Sequence, residues 1–167
     1  EGLYETMGRF CGYLSKLKTP ADPLQPRSKR ELVCDAHFET PVDRVFSAFR
    51  DPVQLAAWWG PEGFTNTFHL FEFVEGGKWT LTMHGPDGRD YPNELSFVEI
   101  YPPYRLVIEH PTSPHFIAEF DLVPLDQGTR LVMHQVFDSD DECQRIAEYA
   151  GNGNSEMFER LRALLKT

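Results

Sequence analysis

The sequence predicts an α+β fold in which a curved antiparallel sheet of about seven strands wraps a long C-terminal helix, with two short helices after the first strand. Three observations carry this expectation. From Thr65 to Phe137 the turn signals recur roughly every ten residues, the spacing of an antiparallel meander. Two helix starts, Thr40-Pro41 and Asp51-Pro52, follow directly on the first strand-like stretch. The final apolar stripe, Met157, Phe158, Leu161, Leu164 and Leu165, has helical spacing and is broad enough to cover a concave sheet. An element order of this kind is the helix-grip arrangement, which tends to leave a cavity between sheet and helix.

Taken in order, residues 1–18 place Leu3, Met7, Phe10, Leu14 and Leu17 at helical spacing, interrupted by Gly8 and Gly12. The stripe needs a surface: its own domain, or a second copy of the chain in a homodimer. A partner-binding helix is the sharper alternative, and mixed charge with a poor basic face argues against a membrane-surface one. Residues 19–30 hold three prolines and no periodicity, which makes them a linker. The division is therefore 1–30, helix and linker, then a ligand-binding type of domain over 31–167.

Glu31 to Glu39 alternates Leu32, Cys34, Ala36 and Phe38 against polar residues, a half-buried strand. Thr40 as N-cap and Pro41 as first helical residue open a helix to Arg50, and Asp51-Pro52 opens a second to about Trp59. Strands are expected near 66–74, 78–84, 93–101, 104–110, 115–123 and 129–137. Phe116, Ala118, Phe120 and Leu122, with Leu131, Met133, Gln135 and Phe137, share one face of the last pair. Ser139-x-x-Glu142 is a capping box for a short helix that Gly151 closes.

Composition narrows the function classes. Of 167 residues, 41% are hydrophobic and 13% aromatic, enough for one domain with a sizeable aromatic core. A net charge of −10 argues against nucleic-acid and anionic-membrane partners, which need clustered Lys and Arg. Cys11, Cys34 and Cys143 are odd in number and lack ligand spacing, so no metal site is expected and reduced thiols in a cytoplasmic protein are. No apolar run is long enough for a membrane span, and no leader with a cleavage site is visible.

The motifs then acquire a relative. Trp59-Gly60-Pro61-x-Gly63-Phe64, Gly76-Gly77-x-Trp79, Gly85-Pro86-Asp87-Gly88 and Tyr91-Pro92-Asn93 resemble the family of activators of heat-shock-protein-ninety ATPase and their homologues. The match continues through Pro102-Pro103-x-Arg105-Leu106, Gly128-Thr129-Arg130-Leu131 and Glu159-Arg160-Leu161, and covers about residues 31–166. This family belongs to the START-like, birch-pollen-allergen-like (SRPBCC) superfamily. The resemblance implies a helix-grip fold with an internal cavity for an apolar small molecule. It also implies two rivals: a co-chaperone-like module that docks on a chaperone or other protein, and a cyclase- or hydrolase-type enzyme on a hydrophobic substrate. One departure is that the family's acidic-x-Arg step before the two glycines reads Glu72-Phe73-Val74 here, so any role of that Arg is missing or relocated.

No catalytic signature appears: there is no nucleophile elbow, phosphate cradle or dinucleotide fingerprint, and no cofactor is expected. The expected cavity walls are Trp79, Leu81, Met83, Phe116, Phe120, Met133, Met157 and Leu161. Gln135 and His110 are the expected polar anchors, because each continues an otherwise apolar inward face. Glu72 and Glu94 form a candidate carboxylate pair for acid/base work, with placement on the wet convex face as the alternative. The histidines His37, His69, His84, His110, His115 and His134 fall largely one to a strand, without the spacing of a metal site.

Overall fold

A computed structural model of the chain describes residues 26–150 and 152–167. The expected N-terminal helix, most of the linker and Gly151 lie outside the described residues.

Strand β1 (Glu31–Phe38) leads into helices α1 (Val42–Arg50) and α2 (Pro52–Trp58). Strands β2 (Thr65–Phe71), β3 (Lys78–His84), β4 (Asp90–Tyr101), β5 (Arg105–His110), β6 (Phe116–Leu125) and β7 (Gly128–Phe137) follow. Helices α3 (Asp140–Ala150) and α4 (Gly153–Leu165) end the chain. The seven strands form one antiparallel sheet in the order β1-β7-β6-β5-β4-β3-β2. The chain thus starts at one edge, crosses through α1 and α2 to the other, and meanders back. This is the START-like helix-grip fold.

Local chemistry accounts for the helix starts, with one correction. The Asp51 carboxylate accepts from the backbone N–H groups of Val53 at 2.9 Å and Gln54 at 3.4 Å, so it caps α2 as expected. In α1, however, Pro41 itself is the N-cap and no side chain caps the helix. The Thr40 carbonyl accepts from the buried Thr129 hydroxyl at 2.7 Å. That bond ties the start of α1 to β7. Ser139 Oγ accepts from the Glu142 N–H at 3.2 Å, the forward half of the capping box on α3.

The period-two pattern of β6 and β7 survives in the register, where Ala118 faces Gln135, Phe120 faces Met133 and Leu122 faces Leu131. Below them α1 buries Val45, Phe46 and Phe49, and α4 buries Met157, Phe158 and Leu161. Each such side chain contributes about 1.5–3 kcal/mol of burial. At Gly128 (φ +116°) an added Cβ would sit 2.0 Å from the Phe38 carbonyl oxygen, so glycine lets the β6–β7 turn close on the end of β1. No helix among the described residues is long and apolar enough to cross a membrane.

Candidate functional site

Helix α4 does not seal the sheet along its whole length. At its first turn a cleft of about 270 Å³ opens above β6 and β7, floored by Phe116, Ala118, Phe120 and Met133. Ala118 is the reason for the space, because a methyl stands where its neighbours along the strand carry rings. Gln135 lies directly across from it, and its Oε1 accepts from Asn154 Nδ2 of α4 at 3.3 Å. Met157 and the exposed Tyr149 close the α-helical side.

The opposite wall is the backbone of Trp59-Gly60-Pro61, and an arginine holds it there. Arg160 of α4 donates through Nη1 to the carbonyls of Trp59, Gly60 and Pro61 at 2.9–3.0 Å. Through Nη2 it reaches Ala57 and Phe64 at 2.9 and 2.8 Å. Burial lowers the proton affinity of this guanidinium from its ordinary value, but arginine remains charged. Two of these carbonyls have a further partner: that of Trp59 accepts from Asn66 Nδ2 at 2.8 Å and that of Pro61 from the Phe64 N–H at 3.2 Å. Gly60 adopts φ +90°, where a Cβ would also meet the Met83 methyl at 2.6 Å.

Trp59 and Phe116 are also walls of a second cleft, of about 450 Å³, so the two are neighbours across this pair of rings. Met83, Tyr91, Asn93 and Leu95 line it from β3 and β4, and His110 from the end of β5. His110 is only 8% exposed and lies parallel to the Phe116 ring at 5.0 Å. Its Nδ1 is 2.8 Å from the Pro114 carbonyl and 3.1 Å from that of Thr112, and its Nε2 is 3.1 Å from Asn93 Oδ1. The pair of clefts thus runs from an almost wholly apolar end, at Phe120 and Met133, to a polar end at Asn93 and His110.

Comparison with known proteins gives this architecture a family. The model described as activator of Hsp90 ATPase homolog 1-like protein matches residues 39–166. The chain belongs to this family. Among solved structures, a Nitrosomonas europaea protein aligns with a TM-score of 0.78 at 21% identity, over 85% of this chain and 98% of that one. An Arthrobacter aurescens protein aligns with a TM-score of 0.78 at 29% identity, over 84% and 90%. The AHSA1 protein of Silicibacter pomeroyi aligns with a TM-score of 0.67 at 22% identity, over 81% and 97%. No curated protein matches the chain.

Two of the motifs that carried the resemblance now have physical roles: Trp59-Gly60-Pro61 is a cleft wall, and the arginine of Glu159-Arg160-Leu161 is what fixes it. Of the residues singled out from sequence, Phe116, Phe120, Met133, Gln135 and Met157 line the first cleft. Met83, His110 and again Phe116 line the second. Trp79, Leu81 and Leu161 line neither; each is at most 1% exposed. The Trp79 ring is enclosed by Trp59, Phe68, Phe71 and Phe97, with centroids 4.9–6.1 Å away. Leu81 lies on that strand's inner face two residues on, and Leu161 sits deep on α4. They belong to the closed part of the grip. Tyr91, Asn93, Tyr149 and Asn154 border the clefts without having been singled out. Tyr91 and Asn93 carried a signal, as parts of the Tyr91-Pro92-Asn93 motif.

The carboxylate pair dissolves. Glu72 accepts from the Lys78 backbone N–H at 3.2 Å and Glu94 from its ammonium at 3.2 Å, both exposed on the convex side. The remaining histidines are likewise spent on surface or structural contacts. His84 joins Thr67 Oγ1 (2.8 Å) to Asp90 Oδ1 (2.6 Å), and His69 pairs with Thr82 at 2.8 Å. His115 bridges Asp138 and Glu109, His134 meets the buried Glu31, and exposed His37 lies 3.8 Å from Asp35. No cluster of three or more His, Cys, Asp or Glu able to hold a metal exists among the described residues. Burial pushes the thiols of Cys34 and Cys143 up, away from reactive thiolate character. A third cleft, about 650 Å³, lies at the far end of α4, where Arg162, Lys166, His37 and Glu39 border Phe38 and Leu165.

Proposed function

We propose that this domain binds an apolar or aromatic small molecule in the paired clefts between the sheet and the first turn of α4. The observation that carries the reading is the floor of Phe116, Ala118, Phe120 and Met133, open beneath the first turn of a helix that buries Phe158 and Leu161 further along. Ligand sites are concave, mostly apolar, and carry few oriented polar groups. Here those groups are Gln135 with Asn154 at one end and Asn93 with His110 at the other. Met83, Met133 and Met157 give the walls adaptable surface. Family membership supports a ligand-binding or co-chaperone-like domain in general; the open floor favours the ligand. His110 has carbonyl and amide partners rather than a carboxylate, which gives no support to acid/base catalysis in the cleft.

The experiment is native mass spectrometry of the purified protein, followed by denaturing mass spectrometry of what it releases, alongside titration with an environment-sensitive naphthalene dye. A co-purified apolar compound that the dye displaces supports the reading. A ligand-free protein that also fails to take up the dye overturns it in favour of the protein-docking module.

A further inference from the structure

An antiparallel sheet with its helices on one face ordinarily shows the other face to water. Here the buried residues of α1, α2 and α4 all join the core on the inner face, with alternate residues of the strands. Yet residues that point the other way are buried too. Val132 is 0% and Val107 5% exposed, and neither belongs to that core. Strand register puts Val107, Glu119, His134 and Val33 in one row across β5, β6, β7 and β1. Arg105, Asp121, Val132 and Asp35 form the next row, and Ile117 and Val136 extend the apolar middle on the other side. His134 and Glu31, 6% and 9% exposed, are two of the few buried polar side chains, and both lie on this outer face. Charged groups on a wet face are mostly exposed, so exposure this low calls for cover.

The chain itself leads onto that face. Arg27 Nε donates to Glu31 Oε1 at 3.0 Å and its Nη2 to Glu119 Oε2 at 3.1 Å, which pins the stretch before β1 against the outer side of β1 and β6. The residues before this anchor carry the apolar stripe Leu3, Met7, Phe10, Leu14 and Leu17. As a helix, residues 1–18 would be about 27 Å long, and the four strands β5, β6, β7 and β1 span about 15 Å. Residues 19–26 reach up to about 28 Å when extended, enough to lay the stripe back over the valines. Charge agrees with this. On the outer face Glu99, Glu109, Glu119 and Asp121 outnumber the guanidiniums of Arg105 and Arg130, and the segment offers Arg9, Lys16 and Lys18.

We propose that residues 1–18 dock as an amphipathic helix on the outer face of β1, β7, β6 and β5 of their own chain, seating the stripe on Val33, Val107, Ile117, Val132 and Val136. The stripe is then occupied within the molecule and is not presented to a membrane or a second copy. Strand β6 carries this interface on one face, through Ile117, and the floor of the first cleft on the other, through Phe116, Ala118 and Phe120.

The test is zero-length carbodiimide cross-linking of the full chain, which joins lysine amines to carboxylates in contact. Links from Lys16 or Lys18 to Glu99, Glu109, Glu119 or Asp121, in a species of single-chain mass, are the expected result. The same links only in a species of doubled mass would assign the face to a second copy and overturn the proposal, as would links from these lysines only to carboxylates off that face. A second measurement labels histidines with diethyl pyrocarbonate in the wild type and in the full-chain variant Phe10→Asp/Leu14→Asp. Labelling of His134 should rise about tenfold while His110, buried on the inner face, stays protected. His134 labelling unchanged by the double substitution overturns the docking. The wild-type cross-links carry the test even if the variant folds poorly.

Discussion

Arg160 and Trp59, a century of residues apart in the chain, meet where the Arg160 guanidinium donates to the Trp59 carbonyl at 2.9 Å. The same side chain reaches four more carbonyls between Ala57 and Phe64, so the last helix holds the loop that walls the cleft. Arg160→Met should cost about 2–4 kcal/mol, because it strands partly buried acceptors rather than removing a surface charge. Arg160→Lys should recover less than half of that, since one ammonium cannot serve five carbonyls in a planar fork. Urea unfolding followed by tryptophan emission measures both. A methionine variant within about 0.5 kcal/mol of wild type would show the loop to be self-supporting.

His115 gives the protein a pH dependence of known sign. Its hydrogen bond to Asp138 (2.6 Å) and then that to Glu109 (2.8 Å) raise its proton affinity above that of a free histidine. The native state thus binds the proton more tightly than the unfolded chain. The stabilisation is fully present below the unfolded value of about 6.5 and is lost as pH rises through the higher folded value. Urea midpoints measured across that interval should fall with rising pH, modestly because the three groups are half-buried or exposed and solvent screens them. His115→Gln should flatten that part of the curve.

Much of the fold could be read from local signals. Alternation along β6 and β7 is a property of the strand itself, and the turns at Asp87-Gly88 and Asp126-Gln127-Gly128 announce themselves by residue type. The cap expected at Thr40 misses by one residue: Pro41 takes the N-cap place, and its carbonyl accepts from the Arg44 and Val45 N–H groups. Which side chains border a cleft is set over a longer range. Trp79, Leu81 and Met83 share one face of one strand, but only Met83 reaches a cleft. How far α4 covers each position is set by packing between distant segments, and period two does not record it. Gln135 accepts from Asn154 of α4, a partner that the pattern of its own strand does not name.

Glu31 works in the opposite pH direction from His115. Burial alone would push its carboxyl up, but the Arg27 backbone N–H, the His134 ring and the Arg27 guanidinium together hold it below the usual range. A depressed folded value gives stability that is present above the unfolded value of about 4.3 and disappears as pH falls through the folded one. Glu31→Gln should cost about 1–3 kcal/mol at neutral pH and weaken the acid dependence of the urea midpoint. Hydrogen exchange in β1 and β7 should report the loss first, since Glu31 sits opposite Val136 at the start of that pairing.

Two substitutions on one face of β6 separate cleft from core. Ala118 floors the open cleft, whereas Leu122, four residues along on the same face, is fully buried under the closed part of the grip. Ala118→Leu therefore adds its carbons to space already present, and should change stability by less than about 1.5 kcal/mol. It should nonetheless weaken apolar-ligand binding by about tenfold or more, because the added side chain occupies the ligand's volume. Leu122→Ala should behave in reverse, costing about 2–5 kcal/mol through the cavity it leaves while binding is retained below the unfolding transition. The informative result is the crossing of the two effects. If Ala118→Leu destabilises as strongly as Leu122→Ala, the space above Ala118 is packed in solution and the cleft is not a binding site.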